Sequence, residues 1–89
     1  MLLTWDPNKA IANLRKHRVA FEEAVTVFTD PLALYITDYG HSARAILIGE
    51  SIERRLLLVV FIDKADQEIR IISARRATTH ERKRYEEGS

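Results

Sequence analysis

The apolar residues of this chain follow a helical period in its first third and a strand period afterwards. Ala10, Ile11 and Leu14 recur at the spacing of one helix face. The segment from Phe21 to Phe28 repeats that face at i, i+3, i+4 and i+7. From Leu32 onward apolar and polar residues alternate, which is the period of a half-buried strand. The pattern therefore predicts two helices followed by a run of strands.

Residues typical of helix ends indicate where the predicted helices begin and end. Asp6 suits a helix N-cap and Pro7 the first helical position, while Lys16-His17-Arg18 places positive charge at the helix C-terminus. Asp30-Pro31 ends the second helix. The predicted helices are 8–17, 21–28 and 79–87, and the predicted strands are 2–5, 32–37, 45–49, 54–62 and 67–74.

Short connections between successive strands predict an antiparallel meander. The most apolar run, 54–62, belongs at the centre of the sheet, and 38–42 is a loop by composition. The expected fold is a small single α+β domain over residues 1–89, in the order β-α-α-β-β-β-β-α. It has a mainly antiparallel sheet with two helices packed on one face.

The last predicted helix differs from the other two. Thr78 stands three residues before Glu81, the spacing of a capping box. Between residues 79 and 87 only Tyr85 is large and apolar, so this helix has no stripe to bury. We expect segment 79–89 to lie on the surface or dock onto a partner, with Tyr85 as its anchor.

Charge is distributed unevenly over the 89 residues. Residues 1–18 sum to +3, residues 19–69 to −5 and residues 70–89 to +3, which gives the net +1. If the two basic ends meet in space, they form a patch that attracts phosphate backbones. Without cysteine there is no disulfide or thiol chemistry. No segment is predicted to be a signal peptide or to span a membrane, so a cytoplasmic protein is expected.

Several kinds of catalytic site can be excluded from the sequence. His17, His41 and His80 lie in separate segments without metal-ligand spacing, so neither a metal nor another cofactor is expected. The chain has no glycine-rich phosphate loop, and none of its serines sits in a nucleophile-elbow motif. Metal-free RNA cleavage remains, because its nucleophile is the substrate's own 2′-hydroxyl and the protein supplies cations, an acid and a base.

Arg75 and Arg76 are the leading catalytic candidates. They lie between the end of a predicted strand and the start of a predicted helix, where guanidinium groups and a helix N-terminus together can bind a phosphate. Lys64 would add charge, and His80 or His17 is the acid or base by residue type. Glu81 or Tyr85 would serve if its pKa were shifted. The competing interpretation pairs the arginines with carboxylates of the same domain and leaves the histidines structural.

Four residues are candidates for RNA binding, and one of them, His17, is also an acid–base candidate. Lys9, Lys16 and His17 lie on the first helix, and Trp5 could stack on a base. The competing interpretation leaves the lysines solvated and puts Trp5 in the core or at its rim.

Several short motifs together resemble the BrnT family of toxins. The N-terminal half carries Trp5-Asp6-Pro7-x-Lys9, Asn13-Leu14-x-Lys16-His17, Phe21-Glu22-Glu23-Ala24 and Asp30-Pro31. The C-terminal half carries Ile71-Ile72-Ser73-Ala74-Arg75-Arg76-Ala77-Thr78 and Glu81-Arg82-x-x-Tyr85-Glu86. The motifs cover nearly the whole chain in the family's order.

The resemblance implies a type II toxin with a RelE-like fold, a metal-independent ribonuclease that halts translation. It implies a BrnA-type ribbon-helix-helix antitoxin as partner, in a 2:2 complex that binds promoter DNA. The family's functional arginines fall by motif on Arg75 and Arg76, and its basic residue after the central strand falls on Lys64. Arg18 departs from the family, where glycine is usual, so the helix C-cap is strained or reshaped. The alternative function is a degenerate toxin, a non-catalytic module that binds nucleic acid or the antitoxin.

Overall fold

The computed structural model describes residues 1–37, 40 and 43–88. Strand β1 (Leu2–Thr4) is followed by helices α1 (Pro7–His17) and α2 (Phe21–Ala24) and a 3₁₀ helix (Val25–Thr29). The strands β2 (Leu34–Thr37), β3 (Arg44–Glu50), β4 (Leu56–Lys64) and β5 (Glu68–Arg76) precede α3 (Thr79–Glu87). The predicted order of elements is confirmed. The predicted loop 38–42, with His41, lies outside the described residues apart from Gly40.

The five strands form one sheet in the order β1-β5-β4-β3-β2. Strands β2 to β5 are the expected antiparallel meander with β4 at the centre, whereas β1 pairs with β5 in parallel. The predicted fourth strand begins two residues too early, because Arg54 has a φ of 63° in the turn before β4. A bulge in β5 leaves Ile72 opposite no residue of β4, between the pairs Val60–Ser73 and Phe61–Ile71.

The main core lies between the sheet and the helices α1 and α2. Its buried residues are Val19, Phe21, Ala24, Val27, Ala45, Leu47, Leu57, Val59, Phe61, Ile71 and Ala74. The other face of the sheet buries Ile48, Leu56 and Leu58, with Tyr85 of α3 packed against them. The two helical layers therefore cover opposite faces of one sheet.

The second predicted helix, 21–28, is wrong in type beyond its first turn. It is α-helical only to Ala24 and then tightens into the 3₁₀ helix. The hydroxyl groups of Thr26 and Thr29 each donate to the carbonyl three residues earlier, at 2.6 Å, which fits the tighter winding. This helix presses on β3 at Gly49, where a Cβ atom would stand 2.8 Å from Val27 Cγ1. Only glycine permits that approach.

Helix α1 has the predicted caps but not the expected buried face. Asp6 Oδ1 accepts from the Asn8 N–H at 2.8 Å, and Arg18 ends the helix in the left-handed region with a φ of 60°. Arg18 thus takes the strained conformation that glycine would take at no cost. The buried residue of α1 is the polar Asn13, while Ile11 and Leu14 are 57% and 50% exposed.

Candidate functional site

The C-terminal part of β5, from Ile71 onward, has an edge that no described strand pairs with, and α1 covers that edge. Strand β1 pairs only with Glu68 to Arg70. Beyond that point the Asn13 side chain acts as a substitute strand: it donates to the Ala74 carbonyl at 2.8 Å and accepts from the Ala74 N–H at 3.1 Å. It also donates to the Val19 carbonyl at 2.9 Å. The basic N-terminal and C-terminal segments therefore meet in space, which is the condition for a shared basic patch.

A surface cavity of about 230 Å³ opens along this seam between α1 and β5. It is lined by Lys9, Ala12, Asn13, Lys16 and His17 from α1 and by Ile72 and Ser73 from β5. Three of the four predicted RNA-binding residues are thus brought together. Within the described part of the chain no carboxylate forms a salt bridge with Lys9 or Lys16. Two ammonium groups without a described ion pair and an imidazole make this cavity suited to an anion.

Arg75 and Arg76 do not form one corner, because successive side chains of a strand point to opposite faces. Arg75 pairs with Leu58 in register and faces α3. Its guanidinium donates to both carboxylate oxygens of Glu81 at 2.9 Å. The hydrogen bonds from Arg75 hold the pKa of Glu81 below its usual value and, reciprocally, raise the pKa of Arg75. For Arg75 the competing interpretation, pairing with a carboxylate of the same domain, is confirmed.

Arg76 faces the layer of α1 and α2 and is exposed. Its charge contributes to lowering the pKa of Glu23, although hydrogen bonds from Arg55 are the larger cause. Arg55 also donates to the carbonyl of Arg18, the residue after the end of α1. Arg76 therefore lies near the C-terminal end of α1, about 10 Å along β5 from Ser73. We call Lys9, Lys16, His17 and Arg76 the α1–β5 track.

The other predicted site residues lie elsewhere. Lys64 is at the far end of the β4–β5 hairpin, 3.9 Å from Glu68 and about 23 Å from Leu57, the residue paired with Arg76. His80 is exposed in the first turn of α3. Trp5 packs edge-on against Phe21 with ring centroids 5.9 Å apart, so it belongs to the rim of the core.

Glu81 and Tyr85 are structural groups in this geometry. Glu81 forms the predicted capping box with Thr78 while binding Arg75. The Tyr85 hydroxyl donates to Asp30 Oδ2 at 2.7 Å, and this bond is the main reason that its pKa is raised to about 12. The pKa of Glu81 is lowered and that of Tyr85 is raised, so both pKa values move away from neutral pH and neither group is suited to exchange protons at that pH. The prediction that Tyr85 anchors the last helix is confirmed.

Sequence reasoning missed the polar groups that hold this region together. Asn13 is one, and the buried Glu23 is another: it accepts hydrogen bonds from Arg55 and from Ser51 Oγ at 2.6 Å. Asp30 is a third, since it binds the Glu50 and Leu32 N–H groups as well as Tyr85. The most distant partners of Asn13, Glu23 and Asp30 are 61, 32 and 55 residues away along the chain, so no local pattern could reveal those contacts.

The described residues hold neither a candidate metal site nor a candidate membrane-spanning helix. No group of three or more His, Cys, Asp or Glu side chains is arranged to hold a metal ion. In that same part of the chain no helix has the length and apolar character needed to cross a membrane.

Comparison with known proteins identifies the class. A family model described as the ribonuclease toxin BrnT of type II toxin–antitoxin systems matches residues 5–81. The fold is similar to a 1.1 Å crystal structure of the Brucella abortus ribonuclease toxin BrnT, with a TM-score of 0.73 and 22% identity. That alignment covers 89% of this chain and 100% of the other. A search of curated proteins finds no match.

The family match places the chain among the ribonuclease toxins of type II toxin–antitoxin systems. Within that class the chain belongs to the BrnT family, as its motifs indicated.

Proposed function

We propose that this chain is a toxin that cleaves RNA without a metal ion, halts translation, and binds its RNA along the α1–β5 track. One observation carries the proposal: the cavity between α1 and β5 gathers Lys9, Lys16 and His17. Cations spaced along an exposed seam match the repeating phosphates of a single RNA strand. Arg76 extends the same seam with a guanidinium that binds phosphate oxygens two at a time.

The side chains of the track are sufficient for RNA cleavage in which the 2′-hydroxyl of the RNA itself attacks the neighbouring phosphate. The 2′-hydroxyl loses its proton to a base and its oxygen attacks the adjacent phosphorus. The bond from phosphorus to the 5′-oxygen breaks, and the leaving oxygen takes a proton from an acid. The products are a 2′,3′-cyclic phosphate and a 5′-hydroxyl. We assign proton transfer to the His17 imidazole and stabilisation of the crowded phosphate to Arg76, with Lys9 and Lys16 holding the strand.

The remaining predicted residues have other roles in this proposal. Arg75 holds α3 through Glu81, and its direct action on phosphate would require that pair to open. Lys64 and His80 stay predictions, because an RNA strand on the track would have to continue around the sheet to meet them. Trp5 supports the start of α1 from the rim of the core.

The proposed partner is a BrnA-type antitoxin with a ribbon-helix-helix part. Membership of a type II toxin family supports an antitoxin partner. We further propose that two toxins flank an antitoxin dimer and that this 2:2 complex binds promoter DNA. The place of action is the cytoplasm, where translation occurs.

The test is induction of this chain in a bacterial host beside single variants at matched protein level. We expect growth arrest by the parent and loss of arrest by Arg76→Ala and His17→Ala. The control is Arg82→Ala, which removes an exposed arginine of α3 away from the track. Purified parent should cut RNA in the presence of a chelator and leave 2′,3′-cyclic phosphate ends.

Other results would overturn parts of the proposal. Arrest by both track variants would move the active site, with Arg75→Ala, Lys64→Ala and His80→Ala next to test. Normal growth with a folded parent that still binds antitoxin would favour a degenerate toxin. RNA binding without cleavage would favour a non-catalytic module. Cleavage abolished by the chelator would remove the metal-free mechanism.

A further inference from the structure

Helix α1 is amphipathic, but its apolar flank faces solvent. Ile11 and Leu14 stand at i and i+3 and are 57% and 50% exposed. The side of α1 that meets the sheet is occupied by Asn13, which is 7% exposed. Large aliphatic side chains in solvent beside a buried amide reverse the usual arrangement of a surface helix. The tertiary fold of the chain alone therefore leaves this flank uncovered.

The flank borders a second cavity, of about 170 Å³, between α1 and α2. Its lining is Ala10, Ile11, Leu14, Ala20, Phe21 and Glu22. We call Ile11, Leu14 and this cavity the α1–α2 groove. The walls are apolar except for Glu22, so the groove suits an inserted aliphatic side chain.

The charges around the groove indicate what would cover it. Arg15 follows Ile11 at i+4, so it edges the same flank, and Arg18 follows at the C-terminal end of α1. Neither forms a salt bridge with any described carboxylate. A complementary surface would carry aliphatic anchors bordered by acidic side chains opposite these two arginines.

The size of the groove decides between occupants. Each partner in a stable stand-alone interface contributes roughly 800 Å². Two half-exposed side chains and one small cavity fall well short of that, which argues against a second copy of this chain. An amphipathic helix that inserts two or three side chains at i, i+3 and i+4 needs only such a groove as one part of a longer contact.

We propose that the α1–α2 groove is the docking site for an acidic amphipathic helix of the antitoxin. The inference rests on the proposed function for the existence of that partner and goes further by assigning its surface. The groove and the α1–β5 track lie on opposite flanks of one helix, about 10 Å across. A helix docked in the groove thus lies across α1 from the RNA path, and the rest of that longer contact, continuing over α1, would obstruct the path.

The test measures binding of the cognate antitoxin, co-expressed and purified, to the full chain and to two variants. Ile11→Gln with Leu14→Gln should raise the Kd at least tenfold while RNA cleavage is unchanged. Arg15→Glu should raise the Kd several-fold and flatten its dependence on salt. The matched control is Leu32→Gln with Ile52→Gln, which alters two residues that are 72% and 77% exposed elsewhere. Its affinity should equal that of the parent.

Each other outcome overturns the inference in a distinguishable way. If the parent binds no antitoxin, the proposed partner and this surface both fail. If the parent binds and the double variant binds equally tightly, only the surface fails. Loss of RNA cleavage in the double variant with normal antitoxin binding would assign the groove to RNA. A parent dimer that the double variant converts to monomer would assign it to a second copy. Thermal melting of every variant establishes that it is folded.

Discussion

Helices α1 and α3 lie on opposite faces of the same sheet and are held there in different ways. Helix α1 is joined to the main chain of β5 through the buried side chain of Asn13. Helix α3 buries no residue and is held by two clasps, Arg75 to Glu81 and Tyr85 to Asp30. The comparison shows that neither helix is held mainly by an apolar stripe. Polar bonds fix both, but only those of α1 are fully buried.

The largest predicted effect is on α1. Replacing Asn13 by leucine should lower the free energy of unfolding by about 3 kcal/mol, because the N–H and carbonyl of Ala74 and the carbonyl of Val19 would lose buried partners. Chemical denaturation measures this loss. Asn13→Asp is the control: it keeps the acceptor for the Ala74 N–H and should also be destabilising, since it cannot donate. A change below 1 kcal/mol in Asn13→Leu would mean that water replaces these bonds.

A smaller effect is predicted at the first clasp of α3. Arg75→Ala should cost about 1.5 kcal/mol at pH 7, discounted because the Arg75 side chain is 38% exposed. The pKa of Glu81 in the folded chain lies below the ordinary 4.5, so the pair stabilises the fold above that pH. The contribution is lost as the pH falls through the folded value.

Denaturation curves of the parent and Arg75→Ala should therefore converge in acid. Arg76→Ala, the matched neighbour, should change stability by less than about 0.5 kcal/mol, as expected for an exposed side chain. Equal losses in the two variants at neutral pH would contradict the separation of the arginines onto opposite faces.

The second clasp, the hydrogen bond from Tyr85 to Asp30, should contribute about 1 kcal/mol to the free energy of unfolding. Tyr85→Phe keeps the ring against Ile48, Leu56 and Leu58 and removes only the hydroxyl bond to Asp30. Hydrogen exchange should show faster opening of α3 with β4 unchanged. Exchange that is equally faster throughout the chain would show that α3 opens only with global unfolding.

The smallest predicted effect is a gain in stability at the end of α1. Arg18→Gly should stabilise the chain by about 0.5 kcal/mol, because glycine adopts the observed φ of 60° without strain, and its greater freedom when unfolded offsets part of the gain. The hydrogen bond from Arg55 uses the Arg18 carbonyl and survives the change. A lower melting temperature would show that the Arg18 side chain has a stabilising contact that outweighs the strain.

Much of the fold could be predicted because its signals are local. The caps at Asp6 and Thr78, the stop at Asp30-Pro31 and the alternation after Leu32 each act within a few residues. The candidate site was predictable only in part. The charge pattern showed that both ends are basic but not that they meet, and Lys9, Lys16 and His17, all named as candidates, do share a cavity. The side chains of Arg75 and Arg76 do not lie together, because alternation along β5 places them on opposite faces of the sheet.

The sequence by itself determined the order of the elements, the central place of β4, the caps at Asp6 and Thr78 and, through its motifs, the BrnT family. Only the tertiary structure decided that Asn13 is buried, that Ile11 and Leu14 are exposed, and that Arg75 is engaged by Glu81. The physical reason is the range of the interactions. Periodicity and caps are set by neighbours in sequence, whereas the burial of a polar group depends on partners that only folding brings into hydrogen-bonding distance.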